Sequence, residues 1–201
     1  MREVLEAAIE PIIWTPALRG ARALAGLAFV VAHAATAAQA NLLANGDFSQ
    51  QNQLTGWTCS SGSWISDDAD SIAGSGSMWL KNFLTNAGSC TSACLAVRGG
   101  AAYSLGGQSR VLFGNPVISF ECASSYTTQC NSFTYDVHGP AMPTSSTWSP
   151  SVGATGVLEP GVQSLMCTVT LGSSDHGDIW GHFDNLFFTT DVIFFEGFES
   201  P

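Results

Sequence analysis

Positive charge is scarce in this 201-residue chain: six Lys and Arg stand against sixteen Asp and Glu, a formal net charge of −10 at pH 7. Beyond residue 40 the cations fall to Lys81, Arg98 and Arg110, against thirteen acids. Such a surface repels phosphate backbones and anionic lipid, which argues against nucleic acid as a partner. Charged residues of both signs make up only 11% of the chain. Helical periodicity is absent past residue 40, where no long segment repeats apolar residues at three- and four-residue spacing. Common catalytic signatures are absent too: no Gly-x-Ser-x-Gly elbow, no His-Glu-x-x-His pair and no phosphate-cradling P-loop. No apolar run reaches the roughly 20 residues needed to span a bilayer.

What is present divides the chain into three. Arg19 and Arg22 precede the apolar run 23–37 (ALAGLAFVVAHAATA), and Ala38-Gln39-Ala40 follows it. A basic start, a short apolar middle and a small-x-small site read as a helical secretory signal over residues 1–40, cleaved after Ala40. Residues 1–17 fit poorly, since they carry Glu3, Glu6 and Glu10. A mis-assigned start, with translation beginning near Leu18, gives a better-formed leader. The mature protein is then secreted, extracellular or periplasmic, with no membrane span. It begins at Asn41, continues as one domain over 41–190, and ends in an acidic tail over 191–201 (DVIFFEGFESP).

The domain reads as all-β. In SLMCTVTLG (164–172), Leu165, Cys167, Val169 and Leu171 share one face while Ser164, Met166, Thr168 and Thr170 share the other, the period of a half-buried strand. Similar short runs lie at 77–83, 94–99, 102–107, 117–122, 133–138 and 182–188, and the opening NLLANGDF (41–48) reads as one more. About eight or nine short strands with frequent turn signals predict an antiparallel sandwich or barrel. The Pro-rich stretch 139–163 reads as a long loop with one short strand near Trp148. All six Cys follow the leader, an even count that in an exported chain predicts up to three disulfides. Cys122 and Cys130 are the pair we expect, stapling two strands across a short connection; Cys59, Cys90, Cys94 and Cys167 stay unassigned.

Two motifs bracket the domain. NLLANGDF followed by Leu54-Thr55-Gly56-Trp57 opens it, Gly74-Ser75-Gly76-Ser77 precedes a central strand, and GHFDNLFF (181–188) closes it. This pattern resembles carbohydrate-binding modules of the family 4/9/22 group, over roughly residues 41–188. Many such modules carry Glu after the opening Phe, where this chain has Ser49. The resemblance implies a galactose-binding-like jelly roll, a polysaccharide or glycan as partner, and a structural Ca2+ near the junction of first and last strands. Asp47 and Asp184 are the matching acidic positions for that ion, although Asn45-Gly46-Asp47 is also ordinary turn chemistry, with Gly46 free to adopt positive φ. The tail IFFEGFES resembles a short ending seen on assorted secreted bacterial proteins.

Sugar recognition needs aromatic faces for C–H surfaces and aimed polar groups for hydroxyls. Trp64, Trp79 and Trp180 are the candidate faces, with Gln108 and Arg110 as polar partners. Trp57 and Trp148 read as structural. The expected function is a non-catalytic module that binds glycan weakly through exposed aromatics. One alternative is an extracellular structural or protein-interaction sandwich without a sugar site. Another is a metal-dependent or glycan-active enzyme using the Asp175, His176, Asp178, His182 and Asp184 cluster, or carboxylates from Asp67, Asp68 and Asp70.

Overall fold

A computed structural model describes residues 39–83, 87–173 and 177–191. The expected signal, but for Gln39 and Ala40, and the expected tail, but for Asp191, lie outside the described residues. So do Asp175 and His176 of the Asp/His cluster.

Described residues form twelve strands and no helix: β1 (Trp57–Cys59), β2 (Gly62–Ile65), β3 (Ser77–Asn82), β4 (Gly88–Ser92), β5 (Leu95–Ala96), β6 (Ala102–Phe113), β7 (Pro116–Ser125), β8 (Phe133–His138), β9 (Ser149–Pro150), β10 (Ala154–Val157), β11 (Ser164–Ser173) and β12 (Ile179–Thr190). They assemble into two antiparallel sheets. The first has the order β1-β4-β11-β7-β8, with β5 also on β11; the second has the order β10-β6-β12-β3-β2, with β9 also on β6. This is the antiparallel sandwich that the patterning predicts, in the jelly-roll form that the resemblance implies.

Period-two patterning explains the core. Leu165, Cys167, Val169 and Leu171 of β11 are fully buried, as are Met78 and Leu80 of β3. β12 supplies Phe183, Leu186 and Phe188 to the same core. Strict alternation would turn Leu186 away from Phe183. A register shift between Asp184 and Phe187, with Asn185 at φ 49°, restores the inward face. Each large apolar side chain so buried contributes about 1.5–3 kcal/mol.

The opening segment departs from expectation. Residues 41–48 form a turn-rich strap rather than a strand. Asn45 (φ 51°) and Phe48 (φ 44°) break the extended backbone. The strap is nonetheless tied to β12: Asn41 Nδ2 donates to the Leu186 carbonyl, the Phe188 amide donates to Asn41 Oδ1, and the Leu42 amide donates to the Phe188 carbonyl. Gly46 does not adopt positive φ. Its requirement is proximity: a Cβ there would run into the Leu186 carbonyl.

The disulfides are Cys59–Cys90, Cys94–Cys130 and Cys122–Cys167. The expected Cys122–Cys130 bridge is therefore wrong. Cys122 on β7 stands opposite Cys167 on β11, and both point into the core. Cys130 follows β7 in the connecting turn and reaches Cys94 instead. Closeness along the chain lost to side-chain direction. The Pro-rich stretch carries two short strands, β9 and β10, both on the edge of β6.

Peptide mapping without reduction should recover Cys122 joined to Cys167 and no peptide joining Cys122 to Cys130. Closing a 45-residue separation constrains the unfolded chain. Replacing both Cys122 and Cys167 by Ala should lower urea-unfolding stability by about 4 kcal/mol.

Candidate functional site

The outer face of the second sheet gathers the polar and aromatic residues that the core does not take. Residues paired across neighbouring antiparallel strands point to the same face. Trp79 on β3, His182 on β12 and Arg110 on β6 are paired in this way and form one row across three strands. Lys81 pairs with Trp180, which also pairs with Phe113, and these form the next row. On the other side, Asp184 pairs with Gln108, and Gln108 with Pro150.

Two loops cover part of this face. The first, Ser66–Ser75, joins β2 to β3. Its Asp67 carboxylate accepts from the Arg110 guanidinium and meets His182 Nδ1 at 2.5 Å. The Ala69 amide donates to Asp184 Oδ2 (2.8 Å), and Asn185 Nδ2 donates to Asp70 (2.9 Å). Asp68 turns the loop on itself by accepting from the amides of Asp70 and Ile72. The second loop brings Trp148 over Arg110 (5.4 Å) and beside the His182 ring (6.2 Å). His182 and Asp184 are consequently buried despite lying on the outer face.

That burial has electrostatic consequences. Loss of solvent pushes the Asp184 carboxyl from 3.8 up to about 7, helped by the neighbouring charges of Asp68 and Asp70 and opposed by the amides of Ala69 and Asn185. Burial also lowers His182 below 6.5, although its hydrogen bond to Asp67 resists the shift. Neutral His182 would place its proton on Nδ1, facing Asp67, and leave Nε2 as an acceptor. Nε2 is buried without a hydrogen-bond partner, as are Trp79 Nε1, Trp148 Nε1 and Arg110 Nε.

The second row is open. Trp180 is 39% exposed and Phe113 56% exposed. Their centroids lie 5.6 Å apart with a 40° tilt, and Trp79 meets Trp180 edge-on at 6.4 Å and 89°. The Lys81 ammonium sits 5.3 Å from the Trp79 ring and 5.1 Å from that of Phe83. Phe83 and Phe113 escape a reading confined to tryptophans. Their signal is a large apolar residue at a strand end, which carries no orientation without the pairing partner.

The structure therefore brings Trp79 and Trp180 together and leaves Trp64 apart. Trp64 pairs with the fully buried Met78, so it lies on the opposite, core-facing side. Its indole N–H donates to the Phe48 carbonyl, and a Cβ on Gly76 would strike its ring. The exposed edge of Trp64 lines a shallow cleft of about 470 Å³ with Gln51, Asp67, Asp68 and Ile72. Trp57 is buried, with its N–H on the Ala44 carbonyl. Arg110 and Gln108 are on the site face, but Arg110 holds the covering loop.

The acidic candidates are engaged singly. Asp47 accepts from the amide and hydroxyl of its neighbour Ser49, while Asp184 accepts from Ala69 and Asn185. Among the described residues, no three His, Cys, Asp or Glu side chains gather to hold a metal ion. Backbone carbonyls would have to complete any calcium shell. Asp67, Asp68 and Asp70 tie the loop down.

No family model matches the chain, and no curated protein matches it either. Solved structures do match in fold. The enzymatically active domain of tailspike protein 4 from bacteriophage CBA120 aligns with TM-score 0.58 and 16% identity over 75% of this chain and 21% of that one. The CBM22-1 xylan-binding domain from Paenibacillus barcinonensis Xyn10C aligns with TM-score 0.52 and 14% identity over 79% of this chain and 100% of that one. The CBM22-1–GH10 modules of a Clostridium thermocellum endo-1,4-β-D-xylanase, complexed with xylohexaose, align with TM-score 0.53 and 12% identity over 75% of this chain and 29% of that one. The chain thus spans about a fifth of the solved tailspike chain and under a third of the solved xylanase chain. It has a jelly-roll fold in common with these carbohydrate-binding modules.

Asp184 supplies a pH test. A carboxyl raised in the folded state stabilises fully below its unfolded value of 3.8, and that contribution is lost as pH climbs toward about 7. His182 works the other way: a lowered imidazole stabilises above 6.5, and this contribution is lost as pH falls through its folded value. Asp184→Asn removes only the first contribution. The melting temperature of D184N minus that of the wild type should be larger at pH 8 than at pH 5. A difference independent of pH would contradict the buried-carboxyl account.

Proposed function

We propose that this domain is a secreted, non-catalytic glycan-binding module whose contact surface is the Trp79–Trp180–Phe113 cluster. The observation that carries this reading is the cluster itself: three aromatic rings on adjacent strands of one sheet face, two of them well exposed. Aromatic faces take up the C–H faces of sugar rings, and edge groups take up hydroxyls. The fold supports the reading, since carbohydrate-binding modules share it and the similar Paenibacillus barcinonensis domain is described as xylan-binding. Three disulfides fit an oxidising compartment, as export would provide.

Ring geometry narrows the form of glycan. Planes inclined by 40° and 89° do not make a flat platform. They suit a single soluble chain that can turn each sugar to its own ring, and they suit a crystalline polysaccharide face poorly. Arg110, Asp67 and His182 act here as positioning groups, because they fix the loop and Trp148 beside the cluster. Gln108 lies two residues along β6 from Arg110 and is the polar partner left on that strand.

Affinity electrophoresis through gels containing soluble polysaccharides tests the reading. Wild-type protein should be retarded by at least one of them. Trp180→Ala should weaken retardation about tenfold or more, as loss of a central aromatic anchor does, with little change in melting temperature because the ring is partly exposed. Trp64→Ala should instead lower the melting temperature through lost packing. A folded wild-type protein that no polysaccharide retards would favour a structural or protein-interaction role. Hydrolysis lost on changing Asp178, His182 or Asp184 would favour an enzyme.

A further inference from the structure

We infer that the aromatic patch selects glycans whose sugars carry a carboxylate, with Lys81 as the group that reads it. This rests on the glycan-binding reading and adds the chemical class of the ligand.

The distribution of cations carries the argument. Between residues 41 and 201 there are only three: Lys81, Arg98 and Arg110. Arg110 is neutralised by Asp67 and lies over the Trp148 ring. Arg98 sits in the exposed turn after β5, where its carbonyl accepts the Ala101 amide. Lys81 alone stands in the open aromatic patch. It pairs across strands with Trp180, which puts the two side chains about 5 Å apart at their bases. Its ammonium lies near the rings of Trp79 and Phe83. Among the described residues no carboxylate pairs with it.

Aromatic faces attract an ammonium without cancelling its charge, so they hold the cation at the patch with its donors available. A sugar seated on Trp180 would present its ring substituents to that cation. A carboxylate there gains an ion pair with charge on both partners, whereas a hydroxymethyl group offers the ammonium only a neutral acceptor. The rest of the domain is acidic and repels polyanions at long range. Lys81 makes this patch the exception.

Matched ligands test the inference: glucuronoxylan, polygalacturonate and alginate, each beside the same polymer after chemical reduction of its carboxyls to alcohols. The wild type should bind the acid form of at least one pair about fivefold more tightly than the reduced form, the scale of one partly exposed ion pair. Lys81→Met keeps an apolar stem over the two rings and removes the charge, so its acid-to-reduced ratio should fall to about one. Lys81→Arg should restore the preference. Should Lys81→Met melt lower than the wild type, Lys81→Gln carries the same comparison. Equal binding of acid and reduced forms by the wild type, or an unchanged ratio in the Met variant, overturns the inference while leaving the glycan reading intact. No binding to any member of any pair overturns both.

Discussion

Strand β12 must satisfy two environments at once, and the alternation of its side chains makes that possible. One face sends Phe183, Leu186 and Phe188 into the core. The other presents Trp180, His182 and Asp184 to the outer face. The same strand receives the N-terminal strap through Asn41 and pairs with both β3 and β6. A one-residue slip would exchange the two faces, exposing Phe183 and burying Trp180. Core, loop cover and aromatic patch therefore share one register, and the shift at Asn185 holds that register where strict alternation would lose it.

The covered part of the outer face is energetically unlike the open part. His182 and Asp184 lie under two loops, where burial disfavours the charged form of each. Burying ionisable groups is destabilising unless hydrogen bonds compensate. Here Asp67 meets His182, and the Ala69 amide meets Asp184. These contacts also fix where the loop ends and the open patch begins.

Much of the fold was legible from period-two patterning. β11 matches its predicted run almost residue for residue, because Leu165, Cys167, Val169 and Leu171 alternate cleanly with polar neighbours. β6 and β12 run longer than their patterns, since the Gly pair 106–107 and the shifted register at 184–187 interrupt the alternation. The opening strap was misread because NLLA looks extended, while the positive φ of Asn45 and Phe48 leaves no clear periodic mark. Disulfide partners were illegible because pairing depends on register between distant strands. The candidate site was half legible. Trp79 faces outward as its opposition to Met78 and Leu80 predicts, but Trp64 is assigned to the core side only by knowing that it pairs with Met78. Loop cover over His182 and Asp184 comes from Asp67 and Ala69, more than a hundred positions away in sequence, and from Trp148, more than thirty away, beyond any local pattern.

The strap and the end of β12 lie side by side: Gln39 reaches Thr189, and Leu42 pairs with Phe188. Trp180 lies near the opposite end of the same strand. Nine residues of extended chain from Trp180 to Thr189 place the two roughly 30 Å apart. Chain entry and exit therefore share one pole of the domain, and the aromatic patch occupies the other. A pull between the two poles would run lengthwise along β12 and load its ladders to β3 and β6 in shear, with many hydrogen bonds resisting together.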